Sequence, residues 1–183
     1  MIRVMNYNDY IDAGFNVFGL NSTVNGACTC GNPNCLAILK HPVASNWQHT
    51  PEWSDEQLGN MEEAGHFKTG WGVLCNGYVV IDIDPRNDGS IESLPIEWTK
   101  AGFTVQTGGS GWHIYWKLPA GHNTALLSHL TEYKGIDFKV SGFVVGCGSL
   151  HASGLEYEAL TGHPCDVTDA PQSLLDALEK TGT

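Results

Sequence analysis

The stretch YVVIDIDPRNDG, residues 78–89, sets two carboxylates inside a run that otherwise reads as a buried β-strand. Val79, Val80, Ile81 and Ile83 are β-branched and fit a pleated surface. Side chains alternate along a strand, so Asp82 and Asp84 point to the same face, about 6–7 Å apart. Like charges so placed repel unless a cation lies between them. Asp137 repeats the pattern in GIDFKV, between Ile136 and Phe138. These carboxylates cannot stay charged and unpaired in a packed interior. Hard oxygen donors of this kind suit Mg²⁺ or Mn²⁺. Two such ions clamp the attacking and leaving oxygens of a phosphoryl displacement. The competing reading leaves Asp82 and Asp84 on the exposed face of an edge strand, with no chemistry.

Downstream, TGGSGWHIYWKLP puts a Gly-rich loop before His113. Glycines let backbone N–H groups approach phosphates closely. His113, Tyr115 and Lys117 would share one strand face, from which His113 could hydrogen-bond a phosphate. A satisfied structural histidine is the alternative. Upstream, CTCGNPNCLAILKH gives Cys-x-Cys-x₄-Cys-x₅-His. Cys28, Cys30, Cys35 and His41 suit a closed tetrahedral Zn²⁺, structural because protein fills every position. Such a knuckle, spanning about residues 24–42, would order the irregular segment 21–49. Free thiols in a loop are the alternative. Cys75, Cys147 and Cys165 read as ordinary small residues.

Elements follow from local signals. A short helix is expected over YNDYIDAG, a strand over FNVFGL, and a helix near residues 55–64, where Ser54 and Gln57 form a capping box. WGVLCNGYVVIDID reads as a hairpin turning on Asn76-Gly77. A short helix ends near Gly102, FTVQT and WHIYWKL form two strands, residues 122–133 are read as helical, and GIDFKV and GFVVGCGS as a second strand pair. PQSLLDALEK closes the chain as a helix with Leu174, Leu175 and Leu178 on one side. The whole predicts an α+β fold of mostly antiparallel sheets flanked by helices.

At 183 residues, 42% hydrophobic and 16% charged, the chain is expected to form a single folded domain, 1–183. No apolar run is long enough to span a membrane, and MIRVMNYNDY lacks the apolar core of a secretory signal, so a cytoplasmic, monomeric protein is expected. The net charge of −11 runs against a protein that grips nucleic acid by its backbone. Bound divalent cations would offset several carboxylates.

Taken in order, four segments resemble the bifunctional primase–polymerase family of the archaeo-eukaryotic primase superfamily, phage and plasmid type. They are CTCGNPNC…KHP, WGVLCNGYVVIDIDP, TGGSGWHIYWKLP and GIDFKVSGFVVGCGSLHASGLEYE, and the likeness runs from about residue 10 to 160. The resemblance implies an RRM-like catalytic core with a small zinc knuckle. It implies a template-directed nucleotidyltransferase that makes primers from nucleoside triphosphates and extends them on single-stranded DNA by two-metal transfer. Asp82, Asp84 and Asp137 would be its catalytic acids and hold Mg²⁺ or Mn²⁺. His113, Ser110, Gly111, Lys40, Lys139, Ser149 and His151 would bind the nucleotide. Lys139 stands where many relatives carry arginine, and a lysine lacks the bidentate fork. The order Gly-Gly-Ser-Gly-Trp-His departs from the family's serine motif at Ser110 and Gly111. Trp47, Trp53 and Trp112 could stack on bases. Relatives are commonly fused to a helicase, so the chain would be the N-terminal part of a longer replication protein in a bacterial host. A metal-dependent phosphodiesterase or nuclease, or a silent zinc-bearing replication module, are the rival readings.

Overall fold

The structure, a computed structural model, describes residues 4–179. In chain order the elements are α1 (Tyr7–Asp12), β1 (Val17–Gly19), β2 (Thr23–Val24), β3 (Ala27–Cys28), α2 (Asp55–Glu63), β4 (Trp71–Leu74) and β5 (Tyr78–Ile83). There follow α3 (Ile96–Thr99), β6 (Phe103–Gln106), β7 (Trp112–Lys117), β8 (Ile136–Lys139), β9 (Phe143–Val145), β10 (Glu158–Thr161) and α4 (Gln172–Leu178). Mixed α+β structure on antiparallel sheets is as the sequence predicts. The chain divides into two compact units, one running to Leu74 and including Phe143–Tyr157, the other comprising Cys75–Gly142 and the chain from Glu158 onward.

The first unit holds a three-stranded antiparallel sheet, β1-β4-β9, and the small β2-β3 ribbon. Its helices begin where side chains can satisfy their first N–H groups. Asn6 accepts from Asn8 N while Asp9 accepts from Asn6 N at the start of α1. Ser54 and Gln57 exchange the same reciprocal bonds at α2, the capping box read from the sequence. Trp47 and Trp53 are used in packing here. Trp47 lies against Phe18 and Phe143, and Trp53 Nε1 donates to Val17 O.

The second unit is a five-stranded antiparallel sheet in the order β10-β6-β7-β5-β8. Alternation decides its two faces. Val79, Ile81, Ile83, Ile114, Trp116, Ile136 and Phe138 point to one side and are buried with Trp98 of α3 and Leu174, Leu175 and Leu178 of α4. Trp112 packs against the same cluster rather than standing free for base stacking. Indole N–H groups within this core are satisfied: Trp116 donates to Trp98 O and Trp98 to Ser173 Oγ. Asp82, His113, Asp137 and Lys139 alternate to the opposite face. The last residue of the expected C-terminal helix, Lys180, lies outside the described residues.

Three sequence expectations need correction. β4 and β5 do not pair; β4 joins β1 and β9, and β5 lies between β7 and β8. Gly77 has φ +87 but Asn76 is not left-handed, and Tyr78 N donates to Cys75 O. A hairpin turn of the expected kind needs positive φ at both central residues, so this turn lets the strands diverge. β8 and β9 also part company, each pairing with a different sheet. Residues 122–133 form turns, not a helix, and make isolated bridges, His129 to Asp137 of the sheet and Leu126 to Glu179 at the end of α4.

The loop after β5 is locked against the residue before β8. Asp84 N donates to Gly135 O, and Gly135 adopts φ +72. A Cβ on Gly135 would overlap Gly89 N and Asn87 O. Gly135→Ala should therefore combine left-handed strain with a backbone clash and cost at least about 2 kcal/mol. Urea denaturation of the variant checks this; an unchanged midpoint would mean the two loops are not interlocked.

Candidate active site

The site grows from the register of three strands. Asp82 on β5 stands opposite His113 on β7 and opposite Asp137 on β8. The row continues past the sheet edge, where His129 bridges Asp137. A neighbouring row on the same face carries Tyr115, Val80 and Lys139. His113, Asp82, Asp137 and His129 thus form a line of polar residues across an otherwise apolar sheet, with a lysine one row away.

The carboxylates are not buried, contrary to the sequence reading. The Asp82 side chain is 31% exposed and that of Asp137 is 60% exposed. The alternation that sends Ile81, Ile83, Ile136 and Phe138 into the core delivers the acids to the open face. Nor is β5 an edge strand; it lies inside the sheet, so Asp82 is flanked on both sides. His113 is buried, and its Nε2 lies 3.4 Å from Asp82 Oδ1. His129 Nδ1 lies 4.0 Å from Asp137 Oδ1.

Asp84 behaves differently. It ends the strand as the cap of a 3-10 turn, Pro85–Asn87. Its Oδ1 accepts from Arg86 N at 2.9 Å and from Arg86 Nε at 3.3 Å, and its Oδ2 from Asn87 Nδ2 at 2.7 Å. The three aspartates consequently do not converge to single-ion spacing: among the described residues, only the cysteine cluster brings three or more metal-ligating atoms within 4.8 Å of one another. Asp82 and Asp137, opposite each other on paired strands, are the carboxylates that could hold a cation between them. Directly opposed like charges on paired strands destabilise a sheet, and a shared divalent ion reverses that sign.

A family model described as bifunctional DNA primase/polymerase, N-terminal, matches residues 8–173 of the 183. The chain belongs to this Prim-Pol family. A DNA primase/polymerase activity, with DNA and nucleotides bound, goes with that membership. A search of curated proteins returns no match. Among the described residues, no helix of this Prim-Pol domain is long and apolar enough to cross a membrane.

The other predicted residues of the Prim-Pol domain fall in two groups. Ser110 and Gly111 sit in the β6-β7 loop, in the same unit as the aspartates. Their N–H groups are taken within it: Ser110 N donates to Thr107 O and Gly111 N to Thr107 Oγ1. Gly111 is needed for close approach, since a Cβ there would overlap Ile83 O. Lys40, Ser149 and His151 belong to the first unit. Ser149 is buried and accepts from Trp71 N, His151 bonds Ser153, and Lys40 is exposed. Sequence reasoning missed Arg86, Asn87 and His129. Asp-Pro is a turn signal, and it could have shown that Asp84 caps a turn whose next residues reach back to it. Nothing local marks His129, which acquires its place only through strand pairing.

The zinc reading of Cys28, Cys30, Cys35 and His41 fits the structure. Their ligating atoms lie within 4.8 Å of one another. Cys35 Sγ and Cys28 Sγ stand 3.5 and 3.9 Å from His41 Nδ1. Zn–S and Zn–N bonds of ordinary length give tetrahedral S···N edges of about 3.6 Å. Burial pushes the Cys28 thiol up to about 11, whereas the Asn32 N–H on Cys30 Sγ draws that thiol down to about 7. Zinc must displace the Cys28 proton throughout the neutral range, and the Cys30 proton increasingly as pH falls below about 7. Zinc affinity should therefore weaken from pH 8 to pH 6, most steeply on the acid side. Chelator competition at several pH values checks this, and pH-independent affinity would exclude thiolate ligation. Removing zinc, or Cys35→Ser, should expose residues 21–46 to hydrogen exchange while β5–β8 stay protected.

Proposed function

We propose that this domain makes and extends primers on a single-stranded DNA template from nucleoside triphosphates, with Asp82, Asp84 and Asp137 as its catalytic acids. The observation that carries this reading is the direct facing of Asp82 and Asp137 across paired strands, backed by family membership. Asp82 and Asp137 would share Mg²⁺ or Mn²⁺, and Asp84 would join from the end of the same strand. Bound there, the ions would acidify the primer 3′-hydroxyl and neutralise the departing pyrophosphate.

The chain's own residues supply the rest. His113, buried beside Asp82 on the neighbouring strand, steadies that carboxylate and can present an N–H to a phosphate at the sheet surface. Lys139, in the adjacent row, lends a positive charge to the triphosphate side. Ser110, Gly111, Lys40, Ser149 and His151 are further candidates for nucleotide contact. With nine Lys and Arg against twenty Asp and Glu, the domain alone should hold DNA weakly. A fused or associated helicase would raise template affinity, with this chain as the N-terminal catalytic part of a longer replication protein.

The test is a primer-synthesis assay with template, labelled nucleotides and Mg²⁺ or Mn²⁺. Products longer than the input are expected, and none from Asp82→Asn or Asp137→Asn. Shortened template in place of lengthened product would make the site a nuclease. Asp137→Asn should also stabilise the protein in chelator by up to about 1 kcal/mol, because it removes one of two opposed charges. Wild-type synthesis by the variant carrying both Asp82→Asn and Asp137→Asn would end the assignment.

A further inference from the structure

Both oxygens of Asp84 are engaged inside its own loop, by Arg86 N and Nε on one and Asn87 Nδ2 on the other. Arg86 is one of only two arginines in the sequence, the other being Arg3. It stands two residues beyond the acid pair, in a chain with a net charge of −11. We propose that Arg86 is a built-in counter-cation for Asp84, which a divalent ion must displace before Asp84 can serve as its ligand. Arg86 is thus a positioning residue that sets the metal threshold of the site. The inference rests on reading Asp82, Asp84 and Asp137 as the metal-holding acids.

The geometry favours exchange over permanent support. Neutral donors commonly brace a metal-bound carboxylate, and Asn87 can do so from Oδ2. A guanidinium cannot do the same without cost, since its charge repels the incoming ion at close range. The Arg86 side chain is 64% exposed, so its head group can move into water with little penalty. Gly135 pins the loop backbone from Asp84 to Gly89, so release needs only the side chain to swing away. The separation of Asp84 from the Asp82–Asp137 pair has a physical cause in this contact: the carboxylate is held toward its own turn.

The experiment uses the whole chain and ions alone. Mn²⁺ binding is measured by electron paramagnetic resonance for wild type, Arg86→Ala, Lys134→Ala and Asp82→Asn. Arg86→Ala should bind Mn²⁺ about two- to tenfold more tightly. Lys134 pairs with Asp88 at 2.8 Å, so its variant makes the same charge change without removing the guanidinium from Asp84 and should gain clearly less. In wild type, the Arg86 Nε–H resonance, readily assigned with only two arginines present, should shift during Mg²⁺ titration with the midpoint of ion binding. That measurement keeps the idea testable if the alanine variant fails to fold. Weaker or unchanged binding by Arg86→Ala, an equal gain from Lys134→Ala, or an unmoved Nε–H resonance would each overturn the counter-cation role. The underlying reading is tested separately. If Asp82→Asn binds Mn²⁺ as wild type does, the acids are not the ion site, whatever Arg86 does.

Discussion

Asp82 and Asp137 face each other on hydrogen-bonded strands, and that pairing is costly to the protein that carries it. A sheet that stabilised itself by side-chain pairs alone would put opposite charges or apolar groups there. The opposite face makes the arrangement affordable. Ile81, Ile83, Ile136 and Phe138, the immediate neighbours of these acids, are all but completely buried against α3 and α4. Burying side chains of this size contributes about 1.5–3 kcal/mol each, well above the repulsion of two partly solvated carboxylates. One strand pair therefore supplies both the anchorage and the frustrated site, by alternation alone.

Position along the sheet then decides what each acid can do. Asp82 is inside, bounded by β7 and β8, with His113 3.4 Å away on the neighbouring strand. Asp137 is on an edge strand and more open, with His129 beyond it. Asp84 lies just past the hydrogen-bonded ladder, where its backbone is held by Gly135 and its side chain turns into the following loop. An enclosed acid, an open acid and an acid engaged by its own loop result from their three positions in the sheet. Sites on strands are better ordered than sites on loops, and the gradient follows that rule.

Much of this was readable from the sequence because the signals were local. Alternation in YVVIDID located Asp82 on a face, the Ser54 and Gln57 box located α2, and the Cys-x-Cys-x₄-Cys-x₅-His spacing located the ligand cluster. Turn chemistry was the weak point. Asn76-Gly77 is a hairpin signal, yet only Gly77 takes positive φ, and the flanking strands join different sheets. Strand partnership is non-local, so nothing in GIDFKV says that its partner is β5 rather than the next apolar run. The same applies to His129 and to the exposure of the acids: an apolar neighbourhood in sequence is the other side of the sheet in space.

The two candidate metal sites differ in the chemistry of their donors, and this keeps them from competing for ions. Three thiols and an imidazole, preassembled within 4.8 Å, form a soft set that selects Zn²⁺. Carboxylates on an open sheet face form a hard set that selects Mg²⁺ or Mn²⁺, which hold water readily and exchange. The cysteine cluster is closed and serves order; its segment has little secondary structure of its own beyond the β2-β3 ribbon and a short 3-10 turn. The acid face is open, and under the proposed reading one of its acids, Asp84, is first released from its own loop. Preassembly suits an ion that stays, whereas an open face of carboxylates suits an ion that exchanges.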